Sequence, residues 1–146
     1  VLELRDAGDL LPAAVVCISP WTDLTFTGRS HIHKAKTDPI LLTEVLREWA
    51  DHYSGEEKRD HPLLSPVYAD FHGFPPLLIQ VGSEEILLDD AIMLAEKAKA
   101  DRVDVTLKIW DELWHVWAAL GDLIPESKKS FEEIGQFLDN HAAERK

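Results

Sequence analysis

The chain has 146 residues, of which 45% are hydrophobic and 29% charged, which suits one globular domain with a real core and excludes collagen-like, disordered and disulfide-stapled classes. Asp plus Glu outnumber Lys plus Arg by 27 to 15, and the formal net charge of -12 argues against nucleic acid or anionic lipid as partners. The single cysteine, Cys17, excludes a disulfide within the chain and fits a reducing, cytoplasmic compartment.

In chain order, residues 1–8 read as the last turns of a helix stopped by Gly8, with the beginning of that helix absent. No apolar stretch reaches the roughly 20 residues that span a bilayer, and no basic-then-apolar leader opens the chain. Residues 13–18 are continuously apolar and residues 77–81 nearly so, interrupted at Gln80, so both read as strands buried on two faces. Val103, Val105, Leu107 and Ile109 alternate with polar residues, as in a strand with one buried face at a sheet edge.

Between these strands, Leu42, Val45, Leu46, Trp49 and Tyr53 recur at helical spacing. Asp89 and Asp90 open an Ala-rich helix running to Ala100, where they are expected to cap it. A last helix starts near Pro125 with Ser127, Phe131, Ile134, Leu138 and Ala142 on one face. Strands joined through helices are parallel neighbours, so the fold class is α/β with about three strands. Only one of the two apolar strands can then be central. If it is 77–81, the run 13–18 leaves an apolar edge open for more chain or for a second copy.

Open α/β sheets carry their chemistry where strands exit toward helices. Glu84 and Glu85 follow the second strand, and His115 follows the third within Trp114-His115-Val116-Trp117. An acid and a histidine at one sheet edge can pair, with the carboxylate orienting the imidazole as a general base. An acid near a helix start also serves simply to complement the helix dipole, and a loop histidine can be structural. A nucleophile is missing: none of the seven serines stands in a Gly-x-Ser-x-Gly elbow, and Gly28-Arg29-Ser30 fails at Ile32. Cys17, mid-strand, is a poor substitute. His31, His33 and Asp38 make a weak metal pattern, no Gly-rich phosphate loop is present, and no metal or cofactor is expected.

The series Pro12–Thr25 containing Ser19-Pro20-Trp21-Thr22-Asp23-Leu24, then Asp38-Pro39, Pro62-Leu63-Leu64-Ser65-Pro66, Pro75–Asp90 and Trp114-His115-Val116-Trp117 resembles the C-terminal half of bacterial esterases of the hormone-sensitive-lipase type. The resemblance implies an α/β-hydrolase that cleaves short-to-medium carboxylic esters with a serine, an acid and a histidine. It aligns the acid with Glu85, with Glu84 as the alternative, and the base with His115, while Asp89 matches a helix-capping acid. The serine elbow and the oxyanion segment belong upstream of Val1, so residues 1–146 are expected to be a partial domain, inactive alone. Its partners are then the N-terminal half, or a second copy at the open edge, and a small ester. Trp117 and Leu87 are expected near the acyl pocket, and Arg102, standing where relatives often have glycine, is expected to alter a turn. The competing reading is a non-catalytic assembly module that pairs through residues 13–18.

Overall fold

The computed structural model describes residues 1–143. A short helix α1 (Leu2–Ala7) is followed by strand β1 (Val15–Ile18), a helical turn α2 (Ser30–His33) and helix α3 (Thr43–Ser54). Then come β2 (Leu77–Gly82), α4 (Leu88–Ala100), β3 (Val105–Trp110) and α5 (Pro125–Ala143), with 3-10 turns at Pro66–Tyr68 and Trp117–Leu123. Gly8 ends α1 in the left-handed region at φ 72°, a conformation that glycine adopts without a Cβ clash.

The three strands form one parallel sheet in the order β1-β2-β3. Val15 lies opposite Leu77 on one side of β2, and Leu77 lies opposite Val105 on the other. All six residues of β2 are buried, as a central strand requires. Leu77, Ile79 and Val81 face Ala91, Leu94, Ala95 and Ala98 of α4 in the main core. The small alanines let the helix approach the sheet closely, and burial of each large aliphatic side chain contributes about 1.5–3 kcal/mol. On the opposite face, Gln80 interrupts the apolar run because it is spoken for: Ser130 of α5 donates its hydroxyl to Gln80 Oε1.

The edges depart from the expected pattern. β1 is only half-buried along its whole length, because its outer side meets no further strand among the described residues. In β3, Val105 and Leu107 pack on the core while Ile109 is exposed. Helix α3 buries Leu46 and Ala50 but leaves Trp49 52% and Tyr53 67% exposed, so much of its apolar stripe faces open space. The buried stripe of α5 runs through Ser127 and Ser130, with Ile134 half-buried, whereas Phe131 and Leu138 are exposed. Of the expected face Ser127 and Ile134 turn inward and Phe131 and Leu138 do not, while Ser130, outside that face, joins Ser127 in bonding Gln80 and the turn at Trp117. Arg102, in the turn before β3, adopts φ +65°, a strained value for a side chain with a Cβ. Among the described residues no helix is long and apolar enough to cross a membrane.

Candidate active site

Because the strands are parallel, the loops that leave their C-terminal ends converge on one edge of the sheet. Ser19 leaves β1, Glu85 leaves β2, and His115 leaves β3. Three hydrogen bonds stitch the last two loops together. Ser83 N–H donates to Trp110 O (2.8 Å), Glu84 N–H to Leu113 O (3.0 Å), and Glu112 N–H to Ser83 Oγ (2.9 Å). Gly82 permits this approach, since a Cβ there would lie 2.2 Å from Leu113 O.

Within this frame Glu85 Oε2 lies 3.1 Å from His115 Nδ1. The Glu85 side chain is 0% exposed and that of His115 16%. The other carboxylate oxygen, Oε1, accepts two bonds, from Gly82 N–H at 2.6 Å and from the Ser19 hydroxyl at 2.7 Å. An ionised carboxylate can only accept, so opposite an ionised Glu85 a neutral imidazole donates from Nδ1 and leaves Nε2 its lone pair. The imidazole is thus oriented by a buried acid while its ring still reaches the surface. On the C-terminal side of His115 the chain turns sharply, with Val116 at φ 48°.

The turn carrying Glu85 is braced from outside. Asp38 Oδ2 accepts Ile86 N–H at 3.1 Å, and its Oδ1 accepts the N–H groups of Ile40 and Leu41. The Ser30 hydroxyl donates to Ile86 O and accepts Asp89 N–H. The start of α4 is therefore capped by Ser30 at the start of α2, while Asp89 accepts Ser30 N–H instead of capping its own helix. Asp90 turns inward, where its Oδ2 accepts Thr22 and Asp23 N–H, both at 2.9 Å, and its Oδ1 lies 2.8 Å from His31 Nε2. Helix capping by these two aspartates, expected from their position, is thus replaced by tertiary bonds.

Other candidates separate. Glu84 points away from His115 to Lys34 Nζ at 2.9 Å, and this bond, acting against a smaller desolvation cost, holds its carboxyl below the usual range. His31, His33 and Asp38 do not converge: His31 is buried on Asp90, His33 is exposed, and Asp38 binds backbone. Asp70, His72 and Asp101 do come within ligand reach of one another. Asp101, however, is already engaged by Lys97 Nζ and by Phe71 N–H. Burial pushes the Cys17 thiol up, away from the reactive thiolate. Trp117 and Leu87, expected beside an acyl pocket, are instead closed into core clusters, Trp117 against Trp110 and Leu87 against Leu46.

Sequence reasoning did not single out Ser19, Gly82, Asp38 or Ser30 as parts of this arrangement. Ser19 and Gly82 could have been flagged by position, since each stands at a strand's C-terminal end. Asp38 and Ser30 reach the site through bonds spanning 48 and 56 residues, which no local pattern reports. A cavity of about 610 Å³ opens between α3 and the loops at Trp21 and Leu63, and neither Glu85 nor His115 lines it.

Residues 1–119 match the family described as alpha/beta hydrolase fold. The chain is 47% identical over 135 residues to an acetyl-hydrolase of Streptomyces hygroscopicus, covering 92% of this chain and 45% of that protein. It is 35% identical to an esterase of Acinetobacter venetianus, covering 93% of this chain and 45% of that one. A crystal structure of an esterase from the bacterial hormone-sensitive lipase family superposes with a TM-score of 0.93 at 45% identity, over 96% of this chain and 47% of that one. The chain thus spans about half the length of the curated relatives it matches, and it aligns with their C-terminal part. With its three parallel strands and flanking helices, this chain belongs to the α/β-hydrolase fold family, and it is similar to the C-terminal part of an esterase of the bacterial hormone-sensitive lipase family.

Proposed function

We propose that this chain carries the acid and the base of a serine-dependent carboxylic ester hydrolase acting on short-to-medium acyl esters. Residues 1–146 form part of a larger α/β-hydrolase domain whose nucleophilic serine and oxyanion hole come from an upstream segment. That segment docks against the open edge of β1, which pairs with β2 on its other side. The single unpaired cysteine supports reading the compartment as a reducing one, the cytoplasm.

The chemistry follows from the imidazole's two nitrogens. His115 Nε2 takes the proton from the serine hydroxyl as its oxygen attacks the ester carbonyl carbon, and then delivers that proton to the departing alkoxide. Glu85 holds Nδ1–H, preserves the tautomer and stabilises the imidazolium that forms. In the second half, Nε2 deprotonates a water that attacks the acyl-enzyme, the acid leaves, and the serine recovers its proton.

The observation that carries this reading is the 3.1 Å contact between a fully buried Glu85 and a partly exposed His115. Hydrolysis of a chromogenic short-chain ester tests it. The 146-residue chain is expected to show none, and a chain extended upstream to supply the serine is expected to be active and to lose activity in His115→Ala. Robust hydrolysis by the short chain, abolished by His115→Ala, overturns the assignment of the nucleophile to another segment.

A further inference from the structure

Ser19 is the first residue beyond β1, and its N–H still donates to Gln80 O across the sheet at 2.7 Å. Its backbone, however, turns to φ +49°, in the left-handed region that favours glycine. A side chain held in such a conformation at a sheet's functional edge points to a use for that side chain. Ser19 is 4% exposed, and its hydroxyl donates to Glu85 Oε1 at 2.7 Å and accepts Val116 N–H at 3.1 Å. One buried oxygen therefore joins the end of β1, the carboxylate and the residue that follows His115.

The arrangement decides which carboxylate oxygen meets the imidazole. Gly82 N–H and the Ser19 hydroxyl both fall on Oε1, so Oε2 remains for Nδ1. Gly82 belongs to the acid's own strand, whereas Ser19 comes from the neighbouring one and also grips the histidine loop. Ser19 makes no hydrogen bond to the imidazole and so touches no reacting atom.

We propose that Ser19 is a positioning residue for the Glu85–His115 pair, aiming the carboxylate at Nδ1 and fixing the loop that carries the imidazole. This rests on reading that pair as acid and base. Loss of the hydroxyl leaves Oε1 with one donor, frees the carboxylate to rotate, and removes the acceptor of Val116 N–H.

The test is imidazole NMR on the 146-residue chain, comparing wild type with Ser19→Ala, Ser19→Gly, Ser19→Cys and Glu85→Gln, with circular dichroism and thermal unfolding recorded for each. In the wild type the Nδ1–H proton of His115 gives a downfield resonance, identified by its absence in His115→Gln. Ser19→Ala and Ser19→Gly are expected to broaden it or move it upfield and to populate the Nε2–H tautomer, seen in the ring ¹⁵N shifts. Ser19→Cys, which keeps a weak donor of similar size, is expected to fall between. Ser19→Gly also removes the backbone strain, so it folds even if Ser19→Ala does not, and a resonance lost in a well-folded Gly variant separates positioning from stability.

In the upstream-extended chain, Ser19→Ala is expected to lower kcat about 10- to 100-fold with KM within about twofold. A resonance unchanged in both Ser19→Ala and Ser19→Gly but altered in Glu85→Gln overturns the role of Ser19 and leaves the acid–base reading intact. A resonance unchanged in Glu85→Gln as well removes the acid–base reading and the role of Ser19 with it.

Discussion

Two histidine–carboxylate pairs sit at the same edge of the sheet and differ in what surrounds the ring. In one, Glu85 and His115 meet at 3.1 Å with the histidine side chain 16% exposed; in the other, Asp90 and His31 meet at 2.8 Å with the histidine 1% exposed. Each carboxylate uses its second oxygen to accept two further hydrogen bonds. The far nitrogen makes the difference. His31 Nδ1 is sealed in the interior without a partner, while His115 Nε2 belongs to a ring that reaches the surface. A buried acid beside a histidine is therefore not enough to make a base, because the proton must have somewhere to go. The Asp90–His31 pair instead ties α2 and the loop after β1 to α4.

The largest expected effect separates the pairs by stability. Asp90→Ala strands His31 Nε2 and two backbone N–H groups in the interior, and is expected to cost about 3–5 kcal/mol in denaturant unfolding. Glu85→Gln keeps an acceptor for Gly82 and Ser19, so about 0.5–1.5 kcal/mol is expected. In the upstream-extended chain the order reverses for catalysis, and Glu85→Gln is expected to lower kcat about 10²- to 10⁴-fold. Comparable stability losses in the two variants would erase the contrast.

The pairs also separate by pH. Desolvation pushes the Asp90 carboxyl above 3.8, against the opposing pull of its bonds from His31, Thr22 and Asp23. A carboxyl raised in the folded state binds its proton more tightly there than in the unfolded chain. Its contribution to stability is thus complete below 3.8 and is lost as pH rises through the folded-state value. Asp23 next to it has the opposite sign. Burial would raise it, but the hydrogen bonds from Thr25 and Thr27 together hold it below 3.8, so its contribution is lost as pH falls. Thermal unfolding of wild type against Asp90→Asn from about pH 4 upward is expected to show the wild type's relative stability declining with pH. A flat difference contradicts the burial argument.

The smallest effect sharpens the choice between adjacent acids. Glu84 is a third exposed and pairs with Lys34, so Glu84→Gln is expected to shift stability by no more than about 0.5 kcal/mol. Ester hydrolysis by the extended chain should then change by less than about twofold. A large loss of activity in Glu84→Gln would reassign the acid.

Much of the architecture was legible because parallel strands and their helices write strong periodicities. The apolar run at 77–81, the alternation at 103–109 and the Ala-rich stretch before Ala100 all mark elements now seen as β2, β3 and α4. The open edge at β1 was also legible, since two apolar strands cannot both be central. Faces were harder. Trp49 and Tyr53 follow helical spacing faithfully yet lie open, and α5 buries Ser127 and Ser130 in preference to Phe131. Periodicity names a stripe, but the neighbour that covers it decides whether the stripe is buried.

Sequence by itself determined which strands carry Glu85 and His115 and that both residues leave the sheet on one edge, because parallel strands align their C-terminal ends. Position in the chain left Glu84 and Glu85 both open and the resemblance favoured Glu85; the tertiary structure shows why Glu85 faces the imidazole, and which of two histidines keeps a nitrogen open. Those choices hang on a hydroxyl at Ser19, a missing Cβ at Gly82 and a carboxylate at Asp38, brought together by hydrogen bonds across tens of residues. Hydrogen bonds are directional and short-ranged, so they act on positions in space and leave no period in the chain.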